Sequence, residues 1–453
     1  MSVHTGNDDW YHSPFSRNAL FKVFLESTMF EYDVCIVGTG RVGLPLGLSL
    51  IEVGLKVTGV DLDENLRNSV NDGRMPFHEP GYDEVIATKQ FKIHETPDEV
   101  VPKSAAVVIT VGTPLYNHIE TDLSQIQRVL EGLGSFLQKD QLVILRSTVA
   151  PGTTLYVKKW IERNTDFTIG KDLLLSFCPE RIAEGVAHAE LQSLPQICGA
   201  EDDASRDAAA ELFGKLAPET MKTNFITAEL VKLFNNISRY ISFAVANQFA
   251  LIADNFGANI YETRRLANHD YPRCNLAIPG FTAGTRLRKD FGMINEWSPY
   301  PDMLVSAWKM NEFTPAMLVG QLMQRTKIHD NKIAVLGFTF KKDTDDIRDS
   351  LVPKLCRYIM RQLPMELRIT DHHLSDPIDE PSSRDPIKNW AINDALEGVD
   401  CVFVATNHTG YGDVLKEFGK TSPDTWIADI WNVGGIDQIY YQAGQLVGEK
   451  VNQ

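Results

Sequence analysis

Residues 32–61 read YDVCIVGTGRVGLPLGLSLIEVGLKVTGVD. An apolar, β-branched run ends at Val37 and is followed by Gly38-Thr39-Gly40-Arg41-Val42-Gly43. Leu44–Val53 then has helical character, and a second apolar run closes on Asp61. Strand, glycine turn, helix and strand in that order open a parallel, doubly wound sheet. In this context each glycine has a job. Gly38 makes the tight turn, Gly40 admits a pyrophosphate to the backbone, and Gly43 lets helix pack on strand. Helix N-terminal amides face the phosphate charge. Asp61, about 20 residues on, can accept both hydroxyls of a ribose and would repel a 2′-phosphate. The expected cofactor is therefore NAD rather than NADP.

The same texture continues outward. AAVVITVGTPL, QLVILRSTV and LLLSFCPE are further buried strands separated by helical stretches. Near Thr223 it changes. Ala228–Phe256 carries helical spacing without proline or glycine, a helix of about 29 residues and ~44 Å. A helix so long and apolar serves as a spine or a subunit interface. From Asn331 the alternation returns: NKIAVLGFTF is a strand, Ser350–Gln362 a helix, and MELRITDHH, VDCVFVATNH and TWIADIWN are strands. The expected fold is α/β, with two Rossmann-like doubly wound domains joined by a long central helix and a helical dimerisation domain. The boundaries are 1–30 for an N-terminal extension, 31–222 for the dinucleotide domain, 223–325 for the helical domain and 326–453 for the second α/β domain.

Composition sets the limits. The 453 residues suffice for about three domains. A net charge of −16 argues against nucleic-acid and anionic-membrane partners. No apolar run approaches the roughly 20 residues of a membrane span. The first 30 residues lack a basic segment followed by an apolar one and do not read as a secretory signal. Six scattered cysteines without a CxxC pair suggest core thiols in a reduced, cytoplasmic setting. His372-His373 follows a strand end without a convergent cysteine or carboxylate pattern. It reads as a loop, and no metal is expected.

The segments GTGRVGLPL, GVDLD, NDGRMPFHEPGYDEVI, VGTPL, RSTVAPGTT, CPERIAEGVAHAELQSLPQICG, AELVKLFNNISR, YPRCNLAIPG, GFTFKKDTDDIRDS and WIADIWN together resemble the UDP-glucose/GDP-mannose dehydrogenase family. The resemblance runs from about Tyr32 to about Asn432, and PERIAEG and YPRCN resemble its N-acetylhexosamine branch. It implies NAD in the N-terminal domain, a nucleotide in the C-terminal domain, a dimer built on the central helix, and oxidation of sugar carbon 6 with two NAD. It implies that Arg41 and Val42 complete the cofactor loop, and that Thr113 and Thr148 line nicotinamide and sugar. Glu180 would activate water, Lys232 and Asn236 would steady the reacting oxygen, and Asp290 would organise the catalytic water. Arg181, Lys341 and Arg348 would hold substrate, Arg348 at a phosphate. Lys232 and Asn236 lie four apart and so share one helix face.

One residue departs from this pattern. The family's loop carries a nucleophilic cysteine, and here the loop reads PGFTAGTRLRKD. Anchoring on Leu287, Lys289 and Asp290 puts Arg286 at that position. A guanidinium stays protonated and cannot replace a thiolate. Three readings remain open. The chain stops after two electrons, or reaches the acid through a hydrate instead of a thioester; or it oxidises or epimerises a ring carbon of a nucleotide uronic acid, whose carboxylate Arg286 and Arg288 would hold; or it binds a nucleotide sugar without turnover. Bland alternatives stand beside the residue roles. Asp290 would pair with Lys289 or Arg288, Arg348 with Asp345 or Asp346, and Arg286 would face solvent.

Overall fold

The structure is a computed structural model. It describes residues 30–448 apart from 114, 117–119, 283, 285–286, 296–301 and 382. Arg286 therefore lies outside the described residues.

Eight strands form the first sheet: β1 Tyr32–Val37, β2 Val57–Val60, β3 Lys92–His94, β4 Ser104–Ile109, β5 Leu142–Leu145, β6 Leu174–Phe177, β7 Gln196–Gly199 and β8 Thr220–Thr223. Their order is β8-β7-β6-β5-β4-β1-β2-β3. The first six run parallel in the dinucleotide-binding order 3-2-1-4-5-6, and β7 joins β6 antiparallel. Successive residues of β1 enter opposite cores. Val34 and Ile36 pack into one apolar cluster, Cys35 and Val37 into the other. That is why the strand reads as a continuous apolar run. The strand order reverses between β1 and β4, and the crevice at their carboxyl ends is where such sheets bind ligands.

The central helix spans Phe225–Asn255. It starts three residues before the expected Ala228, because the Asn224 side chain accepts the Thr227 amide at 2.8 Å and caps it there. It stops one residue before the expected Phe256, where Gly257 turns the chain with φ 65°. Helices Leu287–Asn295 and Asp302–Leu322 pack along it.

The second sheet holds β9 Lys332–Leu336, β10 Glu366–Thr370, β11 Cys401–Val404, β12 Trp426–Asp429 and β13 Tyr440–Gln442, in the order β10-β9-β11-β12-β13. The first four are parallel and β13 is an antiparallel edge. This is the second doubly wound unit, with its own switch point between β9 and β11. The helix expected over Ser350–Gln362 is shorter, Val352–Met360. All six cysteines are free thiols, with Cys35, Cys178, Cys198 and Cys401 buried. No helix among the described residues is long and apolar enough to cross a membrane.

Candidate active site

The cofactor turn has the geometry its glycines demand. Gly38 sits at φ 88°, in the left-handed region. A methyl group on Gly43 would collide with the Gly38 carbonyl oxygen and Ile36 Cγ2, so the helix rests on the strand only with glycine there. A Cβ built on Gly40 meets nothing within 4 Å. That open space above exposed backbone is the cradle a pyrophosphate needs. Val42 is the N-cap residue of the helix Gly43–Glu52. The Asp61 carboxylate accepts the Thr39 amide at 2.6 Å and the Asp63 amide at 3.0 Å. It is fixed as a hydrogen-bond acceptor beside the turn. Arg41 reaches out of the turn to Asp345 at 2.8 Å and lies over the Phe77 ring. These residues fit NAD: backbone for the phosphates, Asp61 for a ribose.

A second group of polar side chains is buried on the central helix and the helix Leu287–Asn295. Lys232 is 3% exposed, Asn236 8% and Asp290 0%. The Asn236 amide donates to the Asp290 carboxylate, joining the central helix to the helix Leu287–Asn295. Lys289, next to Asp290, donates from Nζ to the Thr113 hydroxyl at 3.0 Å, and Thr113 donates to the Thr148 carbonyl at 2.5 Å. One short helix thus ties the Asn236–Asp290 contact to Thr113 and Thr148 beyond the strand ends of the first sheet. The reach of Lys289 was not foreseen, although it stands in the same RKD triplet. Asn247 was missed as well. It brackets Gly280 of the following loop, accepting its amide at 2.8 Å and donating to its carbonyl at 3.0 Å. A lone asparagine in an apolar helix gives little sequence signal.

Several of the assigned side chains hold protein partners in the structure. Glu180 is 4% exposed, and one of its oxygens accepts Nε of buried Arg146 at 3.0 Å and also pairs with its Nη2. The other accepts the Ile182 amide at 2.8 Å and the Arg181 amide. Arg146 further donates to the Cys178 carbonyl and Gln196, and stacks on Phe213. Glu180 is thereby the counter-ion of buried Arg146. Arg181 donates to the Pro195 carbonyl in its own domain, not toward the cleft. Arg288 pairs with Glu312 at 2.8 Å, and Lys354 meets the same carboxylate at 2.7 Å. The Glu312 carboxylate thus joins Arg288 of one helix to Lys354 of another. Arg348 forks onto Asp346, with Nη2 at 2.6 Å. Burial pushes the Asp346 carboxyl up, but the Arg348 hydrogen bonds and the charges of Arg348 and Arg41 outweigh it and hold it low. The pair uses Nε and Nη2 of a half-exposed guanidinium that has five N–H donors. Lys341 donates to the Glu184 carbonyl at 2.6 Å and bridges the two α/β units.

The reading of His372-His373 as a pair without convergent partners is also corrected. The fold brings His408 and Asp343 to them, and the donor atoms of all four lie within 4.8 Å of one another.

Two Rossmann-like units flanking a helical spine, with a dinucleotide turn in the first and Lys232, Asn236 and Asp290 buried on the helices, define an NAD-dependent oxidoreductase acting on the CH–OH of a nucleotide sugar. The chain belongs to the UDP-glucose/GDP-mannose dehydrogenase family, whose NAD binding domain matches residues 32–217, central domain 226–312 and UDP binding domain 334–435. Its cofactor is NAD. It is similar to the UDP-N-acetyl-D-mannosamine dehydrogenase of Pyrococcus horikoshii, 29% identical over 88% of this chain and 95% of that protein. The solved structure of that enzyme superposes with a TM-score of 0.77 over 86% of this chain and 92% of the other. The UDP-N-acetyl-mannosamine dehydrogenase of Staphylococcus aureus is 27% identical, with a TM-score of 0.71 over 83% and 89%. An NDP-N-acetyl-D-galactosaminuronic acid dehydrogenase from Methanosarcina mazei is 25% identical, with a TM-score of 0.73 over 93% and 95%.

Proposed function

We propose that the protein oxidises carbon 6 of a UDP-linked N-acetylhexosamine of the N-acetylmannosamine type, releases one NADH and leaves a carbonyl product. The observation that carries this reading is the Asn236–Asp290 hydrogen bond, with Lys232 one turn earlier on the same helix face. A buried ammonium and an amide are the donors an alkoxide needs as it loses hydride. Asp290 accepts from Asn236 and can pass the hydroxyl proton on through water. NAD, when bound, supplies the hydride acceptor. Thr113 and Thr148, joined to Lys289, fix the strand ends against the helix that carries Asp290.

A second oxidation requires the aldehyde to be captured as a tetrahedral adduct. Arg286 offers no nucleophile for that. Glu180, locked to Arg146, is poorly placed to hydrate it. The ring-carbon reading on a uronic acid loses support because Arg288 is committed to Glu312.

The active unit is proposed to be a homodimer through the central helix. Val245, Phe249, Ile252 and Phe256 recur at i, i+4, i+7 and i+11, and each is more than a third exposed, Phe256 by 84%. One uncovered apolar stripe on a helix calls for a partner surface.

Incubation with NAD and a panel of UDP-sugars, reading NADH stoichiometry and product mass, tests the reaction. One NADH and an aldehyde mass support it. Two NADH with acid, or no turnover on any neutral sugar, overturns it. Sedimentation tests the dimer, which a compact active monomer at micromolar concentration rules out.

A further inference from the structure

At the switch point of the second sheet, three loops at the carboxyl ends of β9, β10 and β11 bring imidazoles together with a carboxylate. Asp343 follows β9, His372 and His373 follow β10, and His408 follows β11. The rings of His372 and His373 are 4.3 Å apart, and those of His373 and His408 4.7 Å apart. From Asp343 Oδ1 the distance is 3.6 Å to His373 Nε2 and 3.7 Å to His408 Nδ1. His373 Nε2 is buried and makes no hydrogen bond.

The orientation of His408 is set from behind. Its ring is fully buried, and Nε2 meets the Asp371 carboxylate at 3.0 Å. Asp371 also accepts the Phe338 amide at 2.7 Å, so that carboxylate does not move. An imidazole that donates from Nε2 to a carboxylate keeps its Nδ1 lone pair, and Nδ1 does accept a hydrogen bond, from the Asp343 amide at 2.9 Å. A carboxylate behind the ring with the lone pair turned to a shared point is the arrangement that supports metal-ligating histidines. Asp343 is held too: Thr409 donates its amide at 2.8 Å and its hydroxyl at 2.6 Å to the two carboxylate oxygens.

We propose that Asp343, His372, His373 and His408 form a binding site for a divalent transition metal, with zinc as the best fit. Three neutral imidazole nitrogens and one carboxylate oxygen match the zinc donor set. Tetrahedral zinc with bonds of about 2.0–2.1 Å holds its donors roughly 3.4 Å apart. Both distances to Asp343 are already close to that value. Ring rotations draw in the remaining atoms, and His408 exchanges one amide hydrogen bond for the metal. With four protein donors the ion is structural. It pins the loop after β9, which carries Lys341 and Asp345, to the ends of β10 and β11. This inference is independent of which sugar the enzyme oxidises.

The test uses the purified full chain, stripped with a chelator and then titrated with zinc against a chromophoric competitor, and with cobalt(II) read by visible absorption. The expected result is one tight zinc per chain, a cobalt spectrum of a four-coordinate site, and a melting temperature that rises with zinc. His373→Gln and the solvent-facing His372→Gln are each expected to weaken zinc by at least about tenfold and to lose that rise, with folding checked by circular dichroism. A His4→Gln/His12→Gln chain is expected to bind as wild type does. Absence of stoichiometric uptake by wild type overturns the proposal. So does undiminished uptake in both His372 and His373 variants, or loss of uptake in the His4/His12 chain.

Discussion

The carboxylate of Glu229, on the central helix, receives both the amide and the hydroxyl of Thr154, at 2.7 and 2.6 Å. The same group takes the Gly152 amide at 2.7 Å. It thereby caps the helix Thr153–Asn164 from outside that helix, one turn before Lys232. Burial raises the Glu229 pKa above the ordinary glutamate range, more than its hydrogen bonds lower it. A raised acid binds its proton more tightly in the folded chain. Its stabilisation is complete below the unfolded value and is lost as pH rises through the folded one. The stability advantage of wild type over Glu229→Gln should therefore shrink as pH rises through that window. Glu229→Ala should cost about 1–2 kcal/mol. Denaturant unfolding at several pH values measures both, and an advantage that grows with pH contradicts the assignment.

Asp61→Ala should weaken NAD roughly tenfold or more, since each charge-assisted hydrogen bond to a ribose hydroxyl contributes about 1.5–3 kcal/mol. NADP should suffer less, because the repelling carboxylate is gone. Fluorescence titration with both cofactors decides, and equal losses would count against the role.

Asp290→Asn should lower kcat by roughly 10²–10⁴-fold with little change in KM. The amide still pairs with Asn236 but cannot take a proton. Single-turnover NADH formation is the measurement, and a near-wild-type rate removes Asp290 from the chemistry.

Arg146→Ala should destabilise the chain by roughly 3–5 kcal/mol, because it leaves Glu180 charged and buried. Glu180→Gln should also lower the melting temperature. A purely catalytic Glu180 would lose turnover without that loss.

Much of this was readable along the chain, and the misses share a cause. The turn 38–43, the acid at Asp61 and the paired faces of Lys232 and Asn236 are local patterns, with spacing and chemistry lying in one segment. The apolar runs set both sheets for the same reason, since strands buried on two faces cannot hide polar residues. Ion pairing is not local. Glu180 finds Arg146 across the sheet, Arg288 finds Glu312 on another helix, and His373 finds His408 and Asp343 across the ends of three strands. No period or motif encodes such partners. Arg348 is the instructive case: its partner Asp346 is two residues away, and the sequence held both readings with nothing to choose between them.

Arg41 belongs to the turn that cradles the cofactor phosphates, while Asp345, its partner, belongs to the loop after β9 in the other α/β unit. Where binding at one element strengthens or breaks that contact, the two occupancies become a single thermodynamic system. Whatever factor one occupant applies to the grip on the other is returned in equal measure. A substitution at Arg41 or Asp345 that tightens the hold on one molecule through this contact would then reset the other as well.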